Sequence, residues 1–246
     1  MNVIGVIPAR YSSSRFEGKV LQDILGKPMI QHVWEKAKQA KVLDEVIIAC
    51  DDQRIADACA GFGAKVVLTA KAHTCGTDRI IEVINPLEVK IVVNIQADEP
   101  LVQPIMIDSL ARTLIDNEKI SMASLIKKIE NPEEINDPGV VKVVADKNNF
   151  ALYFSRAAIP YYPLNSEISQ PVYYKHIGLY SYTKDFLFIY KNLPVSRLEK
   201  TEKLEQLRVL DEGYKIKLIE TKYETIGVDT PQDLEKLKEY MQNNKI

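Results

Sequence analysis

No apolar run of 18 residues occurs anywhere in the 246-residue chain, which leaves no candidate for a membrane-spanning helix. The N-terminus enters a strand-like pattern within two residues, so a secretory signal is not expected and the chain is expected in the cytoplasm. Cysteine is scarce: Cys50, Cys59 and Cys75 form no CxxC pair and leave an odd count. That argues against a disulfide framework and against a cysteine-based zinc site. An excess of one charge sign is lacking too. The net charge is −2, and nothing in it points to a nucleic-acid partner. Both common glycine-rich phosphate signatures, GxxxxGK followed by Ser or Thr and GxGxxG, are absent. There is no internal repeat and no low-complexity linker.

What is present is an ordinary globular composition, 46% hydrophobic and 27% charged, over a length that suits one α/β domain with one sizeable core and an insertion. The charge is unevenly placed. Residues 1–41 hold seven Lys/Arg against three Asp/Glu, a balance of +4, so the remaining chain carries −6. Positive charge gathered near the start suits a small anionic ligand better than a long polymer.

Strand and helix patterns alternate through the first half. Apolar runs over 3–7, 45–50, 64–69 and 90–95 predict strands, and 28–40, 52–62 and 77–87 carry apolar residues at helical spacing. Gly63 supplies a stop after the second helix. Runs that are apolar throughout and separated by helices predict a parallel sheet covered on both faces, a doubly wound α/β arrangement. After Asn117 the rhythm changes. Strands are predicted over 121–129, 140–145, 150–155, 174–182 and 214–220, helices over 199–212 and 230–242, and a proline-rich excursion over 160–171. This predicts a mixed, mostly parallel sheet, with residues 1–117 as one half and 118–246 as the other.

Ligands of such sheets bind beyond the carboxyl ends of the strands, which directs attention to four loops. The first, PARYSSSRFEGK, carries Arg10, Arg15 and Lys19 with three serines and one glycine. Two guanidinium forks, a point charge and loop amides suit a polyphosphate, although a solvated basic loop has the same composition. In NIQADEP, Asp98 stands too far ahead of the helix near Pro104 to cap it, which leaves its carboxylate available to Mg²⁺. In GVDTPQDL, Thr230 is the expected N-cap, Pro231 the first helical residue and Asp233 the acid of a capping box. Asp229 is thereby left as a second metal ligand. In YKHIGLYSY, alternation puts Tyr174, His176, Gly178, Tyr180 and Tyr182 on one face. A sugar lying on that face and cross-strand packing around a satisfied histidine both fit it.

Taken in order, PARYSSSRFEGK, HTCGTDR, QADEP, ALYFSRAAIP, YKHIGLY, TEKLEQLRVL and GVDTPQDL closely resemble the 3-deoxy-manno-octulosonate cytidylyltransferase family over essentially the whole chain. ALYFSRAAIP and LEQLR are the specific motifs; the opening loop alone would indicate only a sugar nucleotidylyltransferase. Glu17, Cys75 and Ala97 depart from the usual proline, serine and glycine. The resemblance implies a Rossmann-like fold of the nucleotide-diphospho-sugar transferase type, with a small insertion for dimerisation and sugar binding. It implies transfer of CMP from CTP to the anomeric hydroxyl of the sugar acid Kdo, with release of pyrophosphate, in a homodimer that serves lipopolysaccharide assembly. An 8-amino analogue of Kdo or a sialic acid as acceptor, and a non-catalytic nucleotide-binding module, are the alternatives.

By the same resemblance, Arg10, Lys19, Asp98 and Asp229 are the catalytic residues, the two aspartates holding Mg²⁺. Pro8, Ala9, Ser13, Arg15, Gly76, Thr77 and Arg79 join Arg10 and Lys19 around the nucleotide. Arg156, His176, Tyr180, Glu205 and Gln206 surround the sugar acid, with Gln96 between the two substrates.

Overall fold

The computed structural model describes residues 2–13, 15–73, 75–163 and 172–244. Its frame is a nine-stranded mixed sheet. Strand β1 (Val3–Ala9) lies near the middle, its apolar residues buried on both faces. A short hairpin follows, β2 (Asp23–Ile24) and β3 (Lys27–Pro28), then helix α1 (Met29–Ala37) and strand β4 (Glu45–Cys50). Helix α2 (Gln53–Gly61) begins where the Asp52 carboxylate accepts the Arg54 amide, and it ends before Gly63, whose φ of 81° suits a residue without a Cβ. Next come β5 (Lys65–Leu68), α3 (Gly76–Ile84), β6 (Ile91–Asn94) and α4 (Pro104–Ile115).

The second half adds β7 (Met122–Lys128), α5 (Glu133–Asn136), β8 (Lys142–Ala145), β9 (Ala151–Ser155) and β10 (Tyr174–Thr183). It closes with α6 (Lys184–Asn192), α7 (Arg197–Glu202), α8 (Leu207–Asp211), β11 (Lys217–Glu220) and α9 (Pro231–Asn244). The main strand order is β11-β7-β10-β6-β1-β4-β5, with β8 on β10 and β9 on β8. β1 pairs in parallel with both β4 and β6, and β10 runs antiparallel between β6 and β7.

Alternation along β1 divides the core. Val3 and Ile7 pack with Val33, Ile55 and Leu110 on one face, while Ile4 and Val6 pack with Ile80, Phe186 and Leu207 on the other. A third cluster joins Ile24 and Met29 to Leu101, Val228 and the α9 residues Leu234, Leu237 and Met241. Each such buried aliphatic side chain contributes about 1.5–3 kcal/mol. This cluster brings the start of α9 against the loop after β6, and with it Asp229.

The predicted doubly wound α/β sheet is present, with three local differences. The single helix predicted over 199–212 is two short helices, because Lys203 takes a left-handed conformation (φ 57°) that ends α7. The last strand begins at Lys217 rather than Tyr214. Helices α5 and α6 and the β2–β3 hairpin are additions that the sequence pattern does not announce. Of the proline-rich excursion, residues 164–171 lie outside the described residues.

Candidate active site

The chain steps outward from β1 to β4 and β5, then crosses to β6 on the other side of β1. That reversal opens a crevice above the carboxyl ends of β1 and β6, the usual ligand position in such sheets. Residues 10–19 leave β1 here, and residues 95–100 leave β6 opposite them. The first loop is closed by the Gly18 amide donating to the Tyr11 carbonyl at 2.8 Å. Gly18 has φ 65°, and a Cβ there would lie 3.1 Å from the Tyr11 ring, so this single glycine is required by both backbone and space.

Lys19, at the loop's end, reaches across the crevice. Its ammonium donates to Asp98 Oδ2 at 2.6 Å, to Asp229 Oδ1 at 2.8 Å and to the Val228 carbonyl at 3.0 Å. Arg15 Nη2 contacts the other oxygen of Asp229 at 2.9 Å. Burial alone would lower the Lys19 pKa, but the two carboxylates outweigh it and hold it above the ordinary lysine value. Burial likewise favours protonated Asp229, and Lys19 and Arg15 outweigh it, so its pKa falls below the ordinary carboxylate value.

Asp229 is free to face the crevice because the cap is supplied next door. Thr230 Oγ1 accepts the Asp233 amide at 3.2 Å, and Asp233 Oδ2 accepts the Thr230 amide at 2.9 Å, a reciprocal capping box. Asp98 is similarly unused by α4, whose N-cap is Gln103.

Two cavities meet in the crevice. The first, of about 410 Å³, has Pro8, Arg10, Ser13, Arg15, Lys19, Gly76, Arg79, Gln96, Asp98 and Asp229 in its wall. The second, of about 220 Å³, has Thr77, Gln96, Tyr180, Glu205 and Gln206, and shares Gly76 and Gln96 with the first. Most residues expected around a nucleotide thus line the first cavity, and Ala9 is buried behind it. Gln96 is fixed between the two by donating to the Gly178 carbonyl at 3.1 Å. Gly76 and Thr77 form the first turn of α3, Gly76 lining both cavities and Thr77 the second. Cys75 caps that helix through its sulfur, which accepts the Asp78 amide at 3.4 Å in the place of the usual serine. Burial pushes its thiol up to about 12. Arg79 is fully buried, yet its Nε has no partner among the described residues.

Two expected sugar residues stand apart from both cavity walls. Arg156 donates to the Glu202 carbonyl at 2.8 Å and the Pro138 carbonyl at 2.7 Å. His176 packs edge-on against Phe154 and lies 2.9 Å from Ser124 Oγ. That hydroxyl also reaches the Leu179 carbonyl at 2.9 Å. Burial lowers the His176 pKa to about 3, leaving the ring neutral.

Sequence reasoning misses Asn94, Tyr190 and Glu99. Asn94 and Tyr190 line the second cavity together with Tyr182, which alternation places beside Tyr180. Burial, with the neighbouring Asp98 charge, pushes Glu99 up to about 8. The adjacent acidic pair in QADEP is the available signal.

The model of the cytidylyltransferase family matches residues 4–219. The 3-deoxy-manno-octulosonate cytidylyltransferase of Solibacter usitatus is 50% identical over 96% of this chain and 92% of its own. That of Fusobacterium nucleatum is 48% identical over 100% and 99%. A solved structure of CMP:2-keto-3-deoxy-manno-octonic acid synthetase, complexed with CTP, superposes with a TM-score of 0.93 at 43% identity, covering 99% of this chain and 100% of that one. The fold and crevice are those of a cytidylyltransferase. Within that class, the chain belongs to the 3-deoxy-manno-octulosonate cytidylyltransferase family.

Proposed function

We infer that the protein transfers the cytidylyl group of CTP to the anomeric hydroxyl of 3-deoxy-D-manno-octulosonate, releasing pyrophosphate and activating the sugar acid for lipopolysaccharide assembly. The observation that carries this is the meeting of a cationic cavity and a tyrosine-rich polar cavity at Gly76 and Gln96. A nucleotide in the first and a sugar acid in the second would bring the α-phosphate and the attacking hydroxyl together at that junction.

Arg10, Arg15 and Lys19 neutralise charge on the triphosphate as the bond to the leaving pyrophosphate lengthens. The N-terminus of α3, with Gly76 in the cavity wall, adds the favourable end of a helix dipole to the same region. Gly76 and Arg79 hold the base, with Thr77 beside them on the wall of the second cavity and Pro8, Ala9 and Ser13 shaping the first. Tyr180, Glu205 and Gln206 offer hydroxyl, carboxylate and amide partners to a polyhydroxylated acid, and the buried Gln206 Nε2 lacks a partner among the described residues. Arg156 and His176 remain part of this reading as neighbours of the sugar. Residues 1–117 form the nucleotide half, and 118–246 the sugar-binding and dimerisation half.

Asp98 and Asp229 fit Mg²⁺: both are hard oxygen donors drawn to one point of positive charge. Among the described residues no cluster of three or more candidate ligands exists, so waters and phosphate oxygens would complete the shell. Bound there, Mg²⁺ supplies charge neutralisation of the phosphates and lowers the pKa of the attacking hydroxyl. Among the described residues no helix is long and apolar enough to cross a membrane. A cytoplasmic homodimer completes the proposal, for which the exposed Leu152 and Tyr161 offer apolar surface.

The test is pyrophosphate release with CTP, Mg²⁺ and, in separate reactions, Kdo, its 8-amino analogue and a sialic acid. Release with Kdo is expected. Release only with another acid, or none with any, overturns the assignment.

A further inference from the structure

Asp51 stands at the end of β4, and its neighbour Asp52 already does the capping: Asp52 Oδ1 accepts the Arg54 amide at 3.0 Å. The Asp51 side chain turns to the crevice side instead and is largely buried, 12% exposed. One oxygen accepts the Tyr11 amide at 3.1 Å, and the other accepts Arg79 Nη2 at 3.1 Å. Tyr11 directly follows Arg10 and closes the phosphate loop onto Gly18. Its ring is covered by the Arg54 guanidinium, 3.3 Å from the ring centroid, and Asp52 grips that guanidinium through two bonds of 2.8 Å. Arg79 Nη1 donates to Thr69 Oγ1, and Thr69 Oγ1 donates to the Cys50 carbonyl at 2.9 Å. One carboxylate therefore joins the start of the phosphate loop to a buried guanidinium in the cavity wall.

We propose that Asp51 is a positioning residue for nucleotide recognition, setting the spacing between the Arg10 end of the phosphate loop and Arg79 so that triphosphate and base are held in one register. Asp51 itself lies outside the cavity wall and acts through these two partners. The inference rests on the assignment of this crevice to CTP. Its physical basis is that an amide cannot replace the carboxylate. The side chain introduced by Asp51→Asn could accept from Tyr11 or from Arg79, but its NH₂ would then face the other donor. A buried guanidinium would also lose its only anionic contact among the described residues.

The test compares Asp51→Asn, Asp51→Glu, Arg79→Met and the double variant combining Asp51→Asn with Arg79→Met, each by KM and kcat for CTP, KM for the sugar acid, the CTP-to-UTP ratio of kcat/KM and thermal midpoint. Asp51→Asn is expected to raise the KM for CTP at least tenfold and to erode the CTP-to-UTP ratio. The sugar-acid KM at saturating CTP should move less than threefold. On the Arg79→Met background the same substitution should change CTP kcat/KM less than threefold. If Asp51→Asn does not fold, Asp51→Glu, which keeps the charge but shifts it by one methylene, carries the same expectation for KM and ratio. An unchanged KM and ratio, or equal losses on both backgrounds, overturns the proposal. Failure of the wild-type protein to bind CTP overturns the underlying assignment instead, and calorimetry with CTP alone separates the two results.

Discussion

Lys19 and Asp98 meet at 2.6 Å across the crevice, linking the loop after β1 to the loop after β6. The contact joins a cation suited to phosphate with a carboxylate suited to a metal. The ammonium thus neutralises part of the charge of the carboxylate proposed to hold a divalent cation.

Asp98→Asn and Asp229→Asn should each fold normally and lose most turnover, about a hundredfold or more, because a neutral amide is a poor Mg²⁺ ligand. Pyrophosphate release followed over a Mg²⁺ titration checks this, with thermal midpoints as the control for folding. Near wild-type turnover by either variant at saturating Mg²⁺ would remove the metal assignment.

Base choice should follow the wall that Gly76 and Arg79 share with Pro8 in the first cavity. CTP should be strongly preferred over ATP and GTP, since a purine needs more room. UTP should be rejected less, by roughly the 1–3 kcal/mol of an unpaired polar group. Comparable kcat/KM for CTP and ATP would contradict the placement of Gly76, Thr77 and Arg79 around the base.

Arg156 is held by two backbone carbonyls, so a substrate carboxylate would have to draw its guanidinium from them. Arg156→Ala is expected to lower sugar-acid kcat/KM by one to two orders of magnitude, matching about 1.5–3 kcal/mol for a charge-assisted hydrogen bond. CTP affinity should stay nearly unchanged, and Arg156→Lys should recover little, lacking the planar fork. Calorimetric titration of CTP into the Ala variant decides: loss of CTP binding with sugar kinetics spared would reverse this division of the crevice.

His176 gives a pH signature. Its folded pKa, about 3, lies below that of an exposed histidine, so the unfolded chain binds more protons between those values. The stability tied to the neutral ring is complete above the unfolded pKa and is lost as pH falls toward the folded one. At pH 4.5 the loss should approach about 2–3 kcal/mol. Urea denaturation of the wild type and His176→Gln should show the wild-type advantage shrinking by that amount between pH 7.5 and 4.5. A constant difference would place the ring in contact with water.

Legibility followed the physics of each segment. Strands β1, β4 and β6 were readable because both of their faces are buried and their runs are apolar throughout. That Asp98 and Asp229 cap no helix was readable by elimination, since neighbouring residues take the caps. The break at Lys203 was hidden because TEKLEQLRVL is composed of good helix formers, and lysine does not advertise a left-handed turn. Helix α6 was hidden for another reason: Thr183 ends β10 and caps α6 at once, leaving no turn residues to mark the boundary. The Asp51 connection joins residues 40 and 28 positions apart, a distance no local pattern reports.

The place of β10 bears on how the chain acquires its shape. β6, the last sheet strand of the first half, finds its second neighbour only in residues 174–183, some 80 positions after it ends. While the chain is being made, the β6 edge and its buried residues Ile91–Asn94 wait uncovered, the kind of open edge that recruits other chains. The first half therefore lacks the neighbour it needs to stand alone. A fragment ending before Tyr174 should aggregate rather than survive as a free nucleotide-binding unit, although it would carry the entire phosphate loop.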